Sequence, residues 1–452
     1  MRWLIALVVL AATVWVVARG RTGSSGGAEC RDCNVVLISA DTLRPDHLGC
    51  YGYRRDTSPA IDRFAAESVR FERAYSTSAW TLPGHLAMLA GRYPVTQSEF
   101  TFTSLNPFSP SYVTLAQALQ QAGYATAGFT GGAFVSGHLG FARGFDVYAS
   151  DSEKFEGNAP PLAEWLAARE PGYPFFLFFH GYDVHAPYDP PEAKRLRFID
   201  AVPDECVGVQ LNCHAQDLQC RSSQEGRSYL VSQYDAEIES VDRAVQWLLD
   251  ELQRHDLRRN TIVVFTSDHG ETLMDAGRNC GHAADLEETV FRVPLIVHVP
   301  GLAPRAVETR ASLADVAPTL LKLLGVPVPD TMHGESLVPV LEGAQRERQI
   351  NGVTGFDAGN VVLATISGDK KLVTRRADRA ASWEYELYDL ERDPRALRSE
   401  IAGNRPPPPA LSALKKRQRY WMDRVGLDIE AAGGCAPAPP PEVEERMRAL
   451  GY

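Results

Sequence analysis

Two carboxylates, one hydroxyl and a group of histidines carry the chemistry open to this sequence. Asp41 follows the apolar run Asn34–Ala40, NVVLISA, and Asp268 with His269 follows Thr261–Thr266, TIVVFT. His180, Asp183 and His185 follow a third run, Pro174–Phe179, PFFLFF, and Thr81 stands within SAWTLPGHLAMLAGR, residues 78–92. Two carboxylates and an imidazole suit a divalent cation, and a threonine hydroxyl completes the set. Such a cation lowers the pKa of a bound hydroxyl and neutralises charge on a phosphoryl or sulfuryl group, which would make Thr81 a nucleophile near neutral pH. His185, in HAPY, is of the type that protonates a leaving-group oxygen, and His282, in CGHAADLEE, is a second catalytic candidate. His85 and His180 are candidates to bind the transferred group; spacing alone does not divide the roles among the histidines. The expected metal ligands are Asp41, Asp268, His269 and Thr81, holding one ion of calcium, magnesium, manganese or zinc.

Each residue has an ordinary alternative. A lone aspartate after a strand commonly caps a helix or turn, and a lone histidine is commonly a hydrogen-bonded structural residue. The Thr81 stretch alone reads as a short loop, then Pro83 opening a helix that stops at Gly91, with the threonine as a cap. The positions argue otherwise. Three polar clusters follow the carboxyl ends of three separate apolar strands, the edge where open α/β sheets bind ligands. The free amides of the helix start beside Thr81 would then hold an anion.

The elements that must position these groups alternate. Strands are expected at 34–40, 125–129, 174–179, 261–266 and 294–299, and helices at 59–69, 113–122, 160–168, about 230–254 and 316–324. This alternation implies an α/β fold, a mostly parallel sheet sandwiched by helices. Residues 190–225 read as an irregular insertion. From about Gly355 the pattern changes to antiparallel strands and a helix over Leu411–Arg424, a small C-terminal antiparallel α+β subdomain. The division expected is 1–29 leader and linker, 30–345 catalytic domain, 346–425 subdomain, and 426–452 a proline-rich tail with a short closing helix.

The chain has 452 residues, 44% of them hydrophobic and 23% charged, with a net charge of −11. It can bury a large core, and with no basic block it offers no nucleic-acid surface. Arg2 precedes the apolar run 3–18, WLIALVVLAATVWVVA, which is followed by a flexible Gly/Ser linker. That run fits an export signal or an uncleaved anchor, so the chain is expected to be exported, periplasmic or extracellular, with possible membrane attachment through residues 3–18. Eight cysteines allow disulfides in that compartment. Cys30 and Cys33 are expected to form a local bridge, and Cys206, Cys213 and Cys220 to staple the insertion, with pairing open.

The motifs together resemble a family. NVVLISADTLRPDHLGCYGY, TSPAIDRFAAESVRFERAYS, LAGRYP, HGYDVHAPYDPP, TSDHGE, VFRVPLIVHVPG, DVAPTLLKLLGVP, ELYDLERDP and the closing RALGY are similar to the sulfatase branch of the alkaline phosphatase superfamily. The resemblance implies metal positions at Asp41, Asp268 and His269, the nucleophile at Thr81, the leaving-group histidine at His185 and, more loosely, a substrate-binding group at His282. Two departures change the chemistry. Sulfatases carry Cys or Ser in C/S-x-P-x-R and mature it to formylglycine, whereas this chain has Thr81-Leu82-Pro83-Gly84-His85. Threonine carries a methyl on the carbon that must become the aldehyde, so formylglycine cannot form, and His85 replaces the arginine. The usual second aspartate is Thr42. A threonine nucleophile resembles phosphodiesterases and phosphoryl transferases of the same superfamily. The expectation is a hydrolase of a small-molecule, glycan or lipid-linked ester, phosphate favoured over sulfate. The alternatives are a transferase to a membrane lipid or glycan, and a non-catalytic binding protein on a decayed scaffold.

Overall fold

The computed structural model describes residues 28–96, 99, 107–213, 217–275, 280–355, 359–401, 408–430 and 440–450. The expected leader at 3–18 and, within the expected proline-rich tail, residues 431–439 with Cys435 lie outside the described residues. No helix among the described residues is long and apolar enough to cross a membrane.

Eight strands form the main sheet: β1 (Asn34–Ala40), β2 (Val69–Phe71), β3 (Ala125–Phe129), β4 (Val147–Ala149), β5 (Phe175–Gly181), β6 (Thr261–Thr266), β7 (Leu295–His298) and β8 (Arg305–Val307). Their spatial order is β8-β2-β7-β6-β1-β5-β3-β4. The central run β6-β1-β5-β3-β4 is parallel throughout, whereas β7 pairs antiparallel with both β6 and β2. The apolar runs read as two-sided strands are buried along their whole length, as expected where helices cover both faces.

Side-chain alternation splits these strands between two cores. Val35, Leu37, Phe176, Phe178, Ile262 and Val264 face one side, against helices α2 (Thr81–Ala90), α3 (Leu115–Gln121) and α6 (Val316–Leu323). Val36, Ile38, Leu177, Phe179, Val263 and Phe265 face the other, against α1 (Pro59–Ala66), α4 (Phe155–Ala168) and α5 (Gln224–Arg254).

Element boundaries differ from the sequence reading in two informative places. Helix α2 starts at Thr81 rather than Pro83, so Thr81 itself is helical and Pro83 lies in the first turn, where a missing N–H costs nothing. Trp80 is the N-cap and contributes no side-chain cap bond; Gly91 ends the helix at φ 62° in the left-handed region, the stop that glycine permits. Helix α4 begins at Phe155, with Pro160 and Pro161 inside it rather than at its start.

The second sheet is antiparallel, β9 (Ile350–Thr354), β10 (Val361–Ser367), β11 (Lys370–Arg376) and β12 (Glu384–Asp389), and is followed by α7 (Pro409–Val425). It packs on the larger unit through Tyr75, Ala79, Leu286, Val290 and Phe291. A last helix, α8 (Pro441–Ala449), returns to the loop after β3, where Leu450 meets Ala133 and Tyr182. Cys30–Cys33 and Cys206–Cys220 are bridged; Cys213 leaves the insertion to bridge Cys280.

Candidate active site

Register brings the candidate residues together. In the sheet, Ser39 of β1 pairs with His180 of β5 on one side and with Thr266 of β6 on the other. The segments leaving β1 and β6 therefore emerge side by side, and Asp41, Asp268 and His269 converge. Helix α2 lies across the same sheet face and delivers Thr81 from its first turn and His85 from the start of its second. Gly84 permits that approach: a Cβ there would sit 2.7 Å from the Asp268 carbonyl oxygen and 3.0 Å from its Cβ.

All four expected ligands are fully buried. His269 Nε2 stands 3.3 Å from Asp268 Oδ2, 3.8 Å from Asp41 Oδ1 and 3.5 Å from Thr81 Oγ1. One ligand atom each from Asp41, Asp268 and His269 falls within a 4.8 Å cluster, and so does a second combination, Asp41 with His85 and His180.

Hydrogen bonding separates the two combinations. A carbonyl oxygen only accepts, so His269 Nδ1, 2.8 Å from the Gly270 carbonyl, carries the proton and Nε2 turns its lone pair to the carboxylates. His180 is the reverse. The Gly131 amide donates to its Nδ1 at 3.2 Å, so Nε2 carries the proton and faces Asp41 as a donor, not a ligand. His85 donates from Nδ1 to the Thr81 carbonyl at 2.9 Å and accepts at Nε2 from the Ser39 hydroxyl at 3.1 Å. With both ring nitrogens held by protein, His85 braces the turn that carries Thr81.

Both oxygens of Asp41 and Oδ2 of Asp268 are buried without a hydrogen-bond partner. Burial pushes the Asp41 carboxyl up to about 8, and burial with the neighbouring Asp41 charge raises Asp268 well above the carboxylate range. Burial likewise holds His269 well below the usual imidazole value. Orphaned carboxylate oxygens beside an unprotonated imidazole nitrogen and a hydroxyl form a donor set that a divalent cation satisfies.

Beyond this set lie His185 and His282, with ring centroids 5.1 Å apart, and His282 is 4.5 Å from His269. His185 Nδ1 donates to the Ala186 carbonyl at 2.5 Å, and burial lowers its pKa to about 4. His282 Nδ1 lies 3.1 Å from Glu271 Oε1, a fully buried carboxylate whose other oxygen is unpartnered. Glu271 was not singled out from sequence, although it stands within TSDHGE; only the folded loop shows that it meets His282.

Arg44, from DTLRPD, anchors this loop. Its guanidinium binds Asp46 and Asp275 at 2.7–3.3 Å and the Glu271 carbonyl at 3.1 Å. Thr42, at the place of the usual second aspartate, has φ 57°, unusual for a β-branched residue. Its hydroxyl donates to the Val184 carbonyl at 2.8 Å and its amide lies 3.3 Å from Asp268 Oδ1. It thus ties the β1, β5 and β6 ends together without adding a carboxylate.

The chain as a whole is similar to known proteins. A model of the Sulfatase family matches residues 33–326, and a model described as N-sulphoglucosamine sulphohydrolase, C-terminal, matches residues 285–417. The chain is 28% identical to arylsulfatase A of Homo sapiens, over 87% of this chain and 89% of that protein. It is 24% identical to choline-sulfatase of Rhizobium meliloti, over 87% and 88%. Among solved structures, phosphonate monoester hydrolase of Agrobacterium radiobacter superposes with a TM-score of 0.69 at 19% identity, covering 90% of this chain and all of that one. A structure in complex with its substrate D-glucosamine-2-N,6-O-disulfate gives a TM-score of 0.70 at 20% identity, covering 87% and 97%.

Proposed function

The chain belongs to the sulfatase family of ester hydrolases, and within it we propose that Thr81 is the nucleophile of a metal-dependent hydrolase that favours phosphate mono- or diesters over sulfates. The observation that carries this reading is the unpartnered Asp41 and Asp268 oxygens facing His269 Nε2 and the Thr81 hydroxyl. A divalent cation held by Asp41, Asp268, His269 and Thr81 would lower the hydroxyl pKa and offset negative charge on the ester.

The chain's own groups account for the rest. Thr81 Oγ1 loses its proton to water and attacks the phosphorus, forming a Thr81 phosphoester as the bond to the leaving oxygen breaks. First-turn amides of α2 and the His180 Nε2–H hold the non-bridging oxygens. His185 donates the proton to the leaving oxygen; neutral in the free protein, it gains that proton in the field of the anionic ester. Glu271 holds His282 by its Nδ1–H, leaving Nε2 to activate the water that resolves the phosphoester. Water can do this at phosphorus without the second hydroxyl that formylglycine supplies, which is why threonine favours phosphate.

Small-molecule and glycan esters are the proposed substrates. The disulfides suit an exported protein. The testing experiment is a panel of aryl phosphate, bis-aryl phosphate, phosphonate and sulfate esters with manganese, calcium, magnesium or zinc, beside a Thr81→Ala control. Turnover of a phosphate ester that is lost in the control supports the reading; equal turnover by the control overturns it. An added acceptor alcohol separates hydrolysis from transfer.

A further inference from the structure

The closing helix α8 ends beside the proposed active site. Val443 and Leu450 are buried, and Met447 packs with Leu450 against Ala133 and Tyr182. These contacts bring Arg446 to the Gly131-Gly132 turn that leaves β3 at the ligand-binding edge of the sheet. The turn reserves space for it. Gly132 has φ 71°, and a Cβ there would sit 2.2 Å from Arg446 Nη1; a Cβ at Gly131 would sit 2.3 Å from the Tyr182 ring.

The same turn touches the site. Gly131 donates to His180 Nδ1, and the Tyr182 hydroxyl donates to the Gly132 carbonyl at 3.1 Å. The Tyr182 ring lies 4.7 Å from His180 and 5.7 Å from His185, centroid to centroid. Arg446 is therefore one residue's width outside the ring that faces Asp41.

Charge accounting singles it out. Arg44 is paired with Asp46 and Asp275, and Lys154 with Glu237. Arg446 has, among the described residues, one hydrogen bond, from Nη1 to the Gly131 carbonyl at 3.4 Å. Glu153 feels its charge without forming an ion pair with it. A half-buried guanidinium with five donors and one long hydrogen bond is a ready receptor for an oxyanion.

We propose that Arg446 is a substrate-binding residue that takes a second anionic group, carried by the substrate beyond the scissile ester. The closing helix is then part of the active-site wall, and the preferred substrates are esters with two separated negative charges, such as a carboxylated or multiply esterified sugar or aryl group. This assignment rests on the proposed ester site.

Binding of unreactive probes tests it without requiring turnover. The full chain, loaded with manganese, is titrated by calorimetry with phenylphosphonate and with 4-phosphonobenzoate, which adds a carboxylate across the ring. The expected result is at least tenfold tighter binding of 4-phosphonobenzoate by the wild type. That preference falls below threefold in Arg446→Gln and is partly restored in Arg446→Lys, with both variants folded by circular dichroism. Binding of both probes without preference, or a preference unchanged in Arg446→Gln, overturns the proposal alone. Failure of both probes to bind overturns it together with the ester site on which it rests.

Discussion

Gly84 and Asp268 meet backbone to backbone: the place a Gly84 Cβ would occupy is 2.7 Å from the Asp268 carbonyl oxygen. This contact seats the nucleophile helix on the strand end that supplies two of the proposed ligands. A methyl at residue 84 must move one of them. Gly84→Ala is expected to cost roughly 1–3 kcal/mol of stability, the usual penalty for overpacking a filled interior. It should also weaken manganese binding at least tenfold, read by thermal melting and calorimetry.

The unpartnered carboxylates of Asp41 and Asp268 set up opposite effects in metal-free and metal-loaded protein. Asp41→Asn removes a buried carboxyl whose oxygens have no hydrogen-bond partner and whose ionisation burial opposes. The metal-free variant should be more stable than the metal-free wild type by about 0.5–2 kcal/mol, as for other function-stability exchanges. The increase in Tm that a divalent ion gives the wild type should be absent from it. Melting curves with chelator and with each metal check both signs.

The Cys213–Cys280 bridge joins the insertion to the segment two residues before His282. Replacing both cysteines by serine frees that segment, which Glu271 also holds through His282. Turnover is expected to fall at least tenfold, while stability drops by about 2–4 kcal/mol, the typical worth of a bridge. Steady-state kinetics below the variant's Tm separate the two effects.

Acid sensitivity has an identifiable contributor far from the site. His333 accepts the Tyr93 amide at Nδ1 over 3.3 Å and stacks on the Tyr93 ring. Burial, then the Arg92 and Arg424 charges, lower its pKa to about 4. The unfolded chain binds a proton at about 6.5, so the folded state holds fewer protons between these values. The stability is present above pH 6.5 and is lost as pH falls towards 4. His333→Asn retains an acceptor without the titration, and its stability should fall less steeply across that window in chemical denaturation.

Much of the framework was legible because burial leaves a plain mark on composition. The run TIVVFT is strand β6 to the residue, and NVVLISA is β1. The polar residues after those runs could be grouped because strand ends in a parallel sheet share an edge. Features that depend on chain closure were not legible. Glu271 pairs with His282 only because the intervening loop doubles back, and Thr81 is helical because Trp80, not Pro83, precedes the first turn. The roles of the histidines were equally hidden. Spacing treats His85 and His180 alike, whereas the Thr81 carbonyl and the Gly131 amide give each ring a different face.

On the proposed mechanism, Thr81 carries the transferred group as a covalent ester. Its most direct test is rapid quenching of the manganese-loaded enzyme during turnover of an aryl phosphate, followed by peptide mass spectrometry. A phosphoryl adduct on Thr81 is expected, formed with a burst of aryl alcohol and absent from Thr81→Ala. Turnover with no adduct on Thr81 and no burst, and undiminished in Thr81→Ala, would contradict it.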